Sequence, residues 1–352
     1  MSATLRITVQ SRRDLLAQLG ALAAAALLPG CAGGGSDDGK GGGDDTNDTD
    51  PVDDLPLENE QYDLPPITPN DVHYTTTCCG TPEVDGAAWS LTFAAGDEAL
   101  VTIDLDALYA LPARDREHTL MCIGATPRNQ KISNAIWSGL PLTEVFEALG
   151  VVIPEGTTTL RIEGEDHYST GLPIEDLDRP LWLVWRMNGE PLPAKHGFPA
   201  RLLVPGRYGM KNPKWMTALR FQAEPYLGYW ESNGWSDEAF YRPNTLIHYP
   251  RGADVVVEGP LRVVGSAFAG RDPILRVEVS VDGGAWQEAT IEYQNGPDVW
   301  TTWSFELDVT AGDHTLQARC VTMSGARSND DAEPVTDHSG WGGSMRADVV
   351  VS

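Results

Sequence analysis

From Val255 to Met323 the chain repeats one pattern, a short run rich in β-branched and aromatic residues followed by a turn. The runs are Val255 to Glu258, Leu261 to Val264, Ile274 to Val281, Trp286 to Tyr293, Trp300 to Val309 and His314 to Met323. Runs of this length and composition suit strands rather than helices. Asp282-Gly283-Gly284 between two of them is a tight-hairpin sequence, because its residues tolerate the positive φ such turns require. Evenly spaced short strands over about a hundred residues predict an immunoglobulin-like sandwich for residues 245–352.

Residues 67–244 are patterned differently. Trp89 to Phe93 and Leu181 to Trp185 read as strands, whereas Leu142 to Leu149 has helical spacing and stops at Gly150, as a C-terminal cap should. Pro and Gly interrupt the rest, so long loops are expected and the fold class is mixed α+β. With 41% hydrophobic residues and 11 Trp, the 352-residue chain can build cores for two domains. Five Cys are too few for a disulfide scaffold.

The N-terminus carries an address. Arg12-Arg13 precede an apolar run from Ala17 to Leu28, which is too short for a permanent membrane span and ends in Leu28-Pro29-Gly30-Cys31. Residues 1–30 resemble a twin-arginine export signal with a lipobox, which implies a periplasmic or extracytoplasmic protein tied to the membrane by lipid at Cys31. Residues 31–66, rich in Gly and Asp, read as a disordered, self-repelling acidic tether.

The full chain has 51 acidic and 25 basic residues, a formal charge of −26. That balance excludes nucleic acid as a partner and makes an anionic membrane a poor docking surface for the folded body. One stretch runs against it. Lys195, His196, Arg201, Arg207, Lys211 and Lys214 fall within twenty-odd residues, on a backbone held in loops by Gly and Pro. Such a concentration implies a bound anion, with phosphate the obvious choice, or else a solvated basic loop.

Cys122, in Thr119-Leu-Met-Cys122-Ile-Gly124, ends a strand-like run just before a glycine turn, where a thiol can act as nucleophile or metal ligand. Taken alone, such a cysteine is more often a small buried apolar residue. There is no Cys-x-x-Cys, no zinc-finger spacing and no Cys-x-x-Cys-His, so structural zinc and attached haem are not expected. No glycine-rich phosphate loop follows a strand.

Together these stretches resemble the sulfite oxidase family of molybdopterin enzymes. The matching pieces are Ile67 to Asp71, Thr119 to Gly124, Ile132 to Leu142, Asp166 to Pro173, Met187 to Pro193, His196 to Pro199 and Gly209 to Trp215, in order across residues 67–225. The resemblance implies a sulfite-oxidase-type molybdopterin domain followed by a dimerisation-type sandwich, hence a possible homodimer. It implies molybdenum-molybdopterin as cofactor, with Cys122 as the thiolate ligand and Tyr168 beside the reacting oxygen. His196, Arg201, Lys211, Asn212 and Lys214 fall on the loops that hold the pterin and its phosphate. Asp166, Thr75, Cys78 and Cys79 are further cofactor contacts. The implied activity is oxygen-atom transfer on a small substrate, sulfite among the candidates, with electrons exchanged with an external carrier such as a cytochrome c.

The chain departs from the family where an Arg-Asn-His normally follows. Thr76 stands in the arginine position and Cys78 in the histidine position, and Ala125-Thr126-Pro127-Arg128 replaces the arginines after the metal-ligand cysteine. A sulfite dianion needs local cations, so the departure favours an S-oxide or N-oxide reductase as the alternative, with Arg128, Lys131 or His73 as possible compensating groups. The adjacent Cys78 and Cys79 read as cofactor contacts, as a pair for redox exchange, or as two small buried residues, with a disulfide between neighbours disfavoured by backbone strain. Cys320 reads as core, and the aromatic run Tyr226 to Trp230 with Trp235 as interdomain packing. A metal-free binding lipoprotein is the rival from another class.

Overall fold

The computed structural model describes residues 62–251, 254–330 and 338–352. The export signal and residues 31–61 of the tether lie outside the described residues. The last five tether residues are fixed on the body: Tyr62 stacks on Tyr249 with ring centroids 5.9 Å apart, Asp63 pairs with Arg262, and Pro66 O accepts hydrogen bonds from Asn134 Nδ2 (2.8 Å) and Trp300 Nε1 (3.0 Å). Among the described residues no helix is long and apolar enough to cross a membrane.

The first part of the body is built on two sheets. One runs Glu98–Asp104, Ser90–Ala95, Met216–Gln222, Thr159–Gly164, Ser169–Pro173 in spatial order; Ser90–Ala95 and Met216–Gln222 are parallel, and the other pairs antiparallel. The second runs Arg114–Met121, Ile132–Pro141, Trp182–Met187, Glu190–Pro191, with Arg201–Leu203 also paired to Trp182–Met187. The helix Leu142–Leu149 buries Leu142, Val145, Phe146 and Leu149 into a core shared with both sheets, and Gly150 closes it at φ 68°. That left-handed cap satisfies carbonyls the helix end leaves open, and glycine reaches it without a Cβ clash.

The second part is a sandwich, as the strand pattern predicted. One sheet is Asn244–Tyr249, Gly259–Phe268, Thr301–Val309, Thr290–Tyr293; the other is Val255–Val256, Met345–Val351, Gly312–Thr322, Ile274–Val281, Gln287–Glu288. The hairpin at Asp282-Gly283 has φ 53° and 68°. The strands not read from sequence include Asn244–Tyr249 and Met345–Val351 here, and Glu98–Asp104, Ile132–Pro141, Thr159–Gly164, Ser169–Pro173 and Met216–Gln222 in the first part.

The two parts share a core. Met121, Ile123, Ala125, Ile132, Tyr208 and Met210 pack in the same apolar cluster as the sandwich residues Leu246, Val277, Trp303 and Leu316. The strand Arg114–Met121 is also tied across by hydrogen bonds, Thr119 N to Asp298 O (2.8 Å) and Trp300 N to Thr119 Oγ1 (2.8 Å), and by the Arg116–Asp298 pair at 2.8 Å. The sandwich therefore braces the strand that delivers Cys122.

Candidate functional site

Cys122 follows the end of Arg114–Met121. Its N–H donates to Lys131 O (2.9 Å) and its carbonyl accepts from Ala125 N (3.0 Å), so a closed turn fixes the half-buried side chain. Tyr74, Tyr168 and Tyr208 lie within electrostatic reach of the Cys122 sulfur, where a thiolate would raise their phenols.

Tyr168 comes from the turn between Thr159–Gly164 and Ser169–Pro173. Gly164 N to Tyr168 O (2.9 Å) closes that turn, and Asp166 Oδ1 accepts Tyr168 N at 3.1 Å. The Tyr168 hydroxyl donates to Met210 O at 2.5 Å. Burial pushes the phenol well above its usual range, and the charges of Glu231, Asp166 and Cys122 push the same way, so at neutral pH it is a proton donor. Burial also raises Asp166, against the attraction of Lys214.

The basic stretch divides in two. Arg201 and Lys214 form one half, with Thr75 and His196. Arg201 is buried, donates through Nη1 to His196 O (3.1 Å) and through Nη2 to Asn212 O (3.2 Å), and lies 5.0 Å over the Trp137 ring. Burial lowers it to about 10, which leaves it charged. Lys214 Nζ donates to Thr75 Oγ1 (3.1 Å) and Lys195 O (3.2 Å); burial and the nearby Arg201 charge lower it to about 7. Neither cation has a carboxylate partner among the described residues. Gly197, at φ 112°, lets their stems approach, since a Cβ there would lie 3.0 Å from Lys214 Cβ and 3.2 Å from Arg201 Cβ.

The other half is neutralised. Lys211 is fully buried and held by Glu231, Asp237 (2.7 Å) and Gly171 O (2.9 Å), while Arg207 pairs with Asp176 at 2.8 Å. Asn212 braces its own loop: Oδ1 accepts Val204 N (2.6 Å), and Nδ2 donates to Arg207 O (3.1 Å) and Tyr208 O (2.9 Å). Lys211 and Asn212 thus sit in the predicted loops, but their side-chain groups are engaged by protein.

His196 Nε2 meets Asn70 O at 2.7 Å, and burial lowers it to about 4, so the ring is neutral and Nε2–H donates. His73 stands edge-on to it, centroids 5.1 Å apart, with Nδ1 at 3.0 Å from Tyr74 O. Burial holds His73 far below its usual range, so it supplies no positive charge to an anion, against the expectation that it could. Cys78 and Cys79 are bonded to each other and neither is buried, which corrects both the expectation against a disulfide and their reading as two small buried residues. Cys320 is core, as expected.

Sequence reasoning missed two groups. Glu231 lies in the one-turn helix Tyr229–Ser232, too short to show periodicity. Trp235 packs with Trp230 against the shared core, as expected, but its ring also reaches the cysteine turn: a Cβ on Gly124 would lie 3.5 Å from Trp235 Cη2 and 4.0 Å from Cys122 Sγ.

Among the described residues no group of three or more His, Cys, Asp or Glu could hold a metal ion, so a metal on Cys122 would take its other donors from a cofactor. The residues fit a phosphate-bearing pterin. Arg201 Nε, His73 Nε2 and Thr76 Oγ1 are buried polar atoms without a protein partner, and buried polar groups are normally hydrogen-bonded.

Comparison with known proteins agrees. The family described as oxidoreductase molybdopterin binding domain matches residues 78–230. Mitochondrial sulfite oxidase of Homo sapiens is 28% identical over 305 residues, covering 73% of this chain and 56% of that protein. NADH nitrate reductase 1 of Arabidopsis thaliana is 25% identical, covering 69% of this chain and 33% of that one. The chain thus spans about half, or less, of the length of these relatives. The sulfane dehydrogenase SoxCD from Paracoccus pantotrophus shares the fold, with a TM-score of 0.72 at 22% identity over 84% of this chain and 82% of that one. By these matches, residues 78–230 carry the molybdopterin-binding domain of an oxidoreductase, and the chain is similar to the sulfite oxidases and shares the fold of SoxCD.

Proposed function

We propose that this chain is an exported molybdopterin-dependent oxidoreductase that moves an oxygen atom between water and a small substrate. The observation that carries the reading is buried Arg201 and part-buried Lys214, two basic groups with no carboxylate partner among the described residues, in the same site as Cys122 and Tyr168. Bound molybdenum-molybdopterin supplies two-electron oxygen-atom-transfer chemistry. Cys122 would ligate the metal. Arg201, Lys214 and Thr75 would hold the phosphate, and neutral His196 would hydrogen-bond the pterin. Tyr168 donates from its hydroxyl, poised on Met210 O, to the reacting oxygen. Two electrons pass singly to or from a separate carrier such as a small cytochrome. The twin-arginine sequence and Cys31 support export and lipid anchoring.

A specific observation favours reduction of neutral oxides over sulfite oxidation. Thr76 and Cys78 stand where the family has Arg and His. Lys211, Arg207 and Arg116 are each closed by carboxylates. Arg128, at the surface, and Lys131, half-buried, are the cations left on the Cys122 turn. A sulfite dianion would enter an acidic protein with little local compensation. The overall reaction balances as oxide plus two protons plus two electrons giving the deoxygenated product and water.

The test is molybdenum per chain, measured by metal mass spectrometry after expression in a host that makes the pterin, alongside Cys122→Ala. Near-stoichiometric metal is expected in the parent, with metal or turnover lost in the variant. A folded, metal-free parent would leave a binding protein on this fold.

A further inference from the structure

The wall facing Cys122 is aromatic, and its position follows from the chain. The helix Tyr229–Ser232 ends in a turn at Gly234 (φ 89°), Trp235 N donates to Trp230 O (3.1 Å), and Ser236 N donates to His338 O (3.2 Å). Those bonds hold the Trp235 ring with its face stacked on His338, centroids 4.7 Å apart, and nearly perpendicular to Trp230 at 6.2 Å. The outer end of the indole, Cη2, approaches the cysteine turn at Gly124. A Cβ at Gly124 would make ordinary contact with both the indole and the thiol, so the two groups converge on this position. Trp235 is neither fully buried nor exposed, as a wall shared by core and mouth must be.

Resting on the oxidoreductase reading, we propose that Trp235 determines substrate specificity. Its indole, backed by Trp230 and His338, packs against the methyl or methylene groups of a small neutral S-oxide or N-oxide while the oxide oxygen is directed toward Tyr168. The π face and apolar edge reward burial of alkyl groups and give nothing to a hydrated dianion. The groups flanking the wall reinforce that choice. Lys211 is closed by Glu231 and Asp237, and Glu238, three residues on from Trp235, is exposed, so this segment offers an entering anion no free cation. The electrons for the reduction come from the one-electron carrier named above, two per oxide.

The experiment uses metal-loaded protein with a reduced viologen dye as donor, and dimethyl sulfoxide, trimethylamine N-oxide and sulfite (with an acceptor dye) as probes. Trp235→Ala is expected to raise KM for the sulfoxide about tenfold, the scale of one or two lost methylene contacts, with kcat within about twofold. Trp235→Phe should recover most of that loss. KM for sulfite should not move. Molybdenum content of each variant, equal to the parent's, reports that the site is intact. A second readout needs no turnover: parent tryptophan emission should change on titration with dimethyl sulfoxide, and the change should be lost in Trp235→Phe. Sulfite turned over in preference to both oxides by loaded parent would overturn this inference and leave the oxidoreductase reading standing. So would an unchanged sulfoxide KM in Trp235→Ala. A metal-free parent would remove both.

Discussion

Lys211 and Lys214 are three residues apart and chemically identical, yet they do different jobs. Lys214 has no carboxylate partner among the described residues and is lowered to about 7, poised to take up a proton beside a bound anion, whereas Lys211 is sealed by Glu231, whose Oε1 also accepts from Thr170 Oγ1 at 2.6 Å. The sequence shows the basic cluster and cannot show this division, because Glu231 sits 20 residues beyond Lys211 in a single helical turn. The same holds for Cys122: its residue type and turn are legible, but Trp235, which faces it, comes from a segment with no motif. A buried pair loses most when one partner goes, since the other is left charged in a low dielectric. Glu231→Gln is expected to cost about 3 kcal/mol in urea unfolding. The double variant Lys211→Met with Glu231→Leu should recover much of that loss, because it leaves no buried charge. If Glu231→Gln costs no more than the double variant, the pair is not the closed unit described here.

At the scale of elements, local signals were legible wherever the chain obeys them. The Leu142–Leu149 helix ends at its glycine, and the Asp282-Gly283 hairpin turns where its residues allow positive φ. Strands such as Ile132–Pro141 and Met345–Val351 were not, because their pairing is set by partners distant in sequence. The placement of Tyr229–Ser232 is likewise non-local. Its start, Gly228, lies on the Ser169–Pro173 strand so closely that a Cβ would sit 1.9 Å from Ser169 O. Only glycine permits this approach, which sets Glu231 against Lys211 and leads the chain on to Trp235 at the cysteine turn. Gly228→Ala should therefore lift the helix from the strand, lowering stability by about 2 kcal/mol and disturbing substrate binding together. Circular dichroism melts and KM for the oxide probe measure the two. A Tm within a degree of the parent would contradict that packing.

At the scale of the whole molecule, sandwich and cofactor part share one core, and their interface holds the strand that carries Cys122. Disrupting either part should therefore disturb the site, and acid provides a way to do so. Four histidines are buried and neutral: His73 and His118 lie well below the usual range, His196 at about 4 and His248 at about 3, in each case chiefly through burial. Each folded value is depressed below the unfolded 6.5, so the unfolded chain takes up protons first as pH falls. The stability contributed is present above 6.5 and is lost from there down toward 4. His196 alone corresponds to about 3 kcal/mol. The formal charge of −26 acts in the opposite sense, since protonating carboxylates near pH 4 relieves repulsion. About 1 M salt shortens the screening length to about 3 Å and suppresses that second effect. In high salt, Tm should therefore fall steadily from pH 7 to pH 5, before carboxylates contribute. His248→Gln isolates one histidine far from the cofactor cradle, because glutamine can still meet Ser266 Oγ, the 2.9 Å partner of His248 Nε2, but does not titrate. That variant should show a shallower decline between pH 6.5 and 5, whereas a Tm flat across that range in the parent would mean the buried rings are not held neutral.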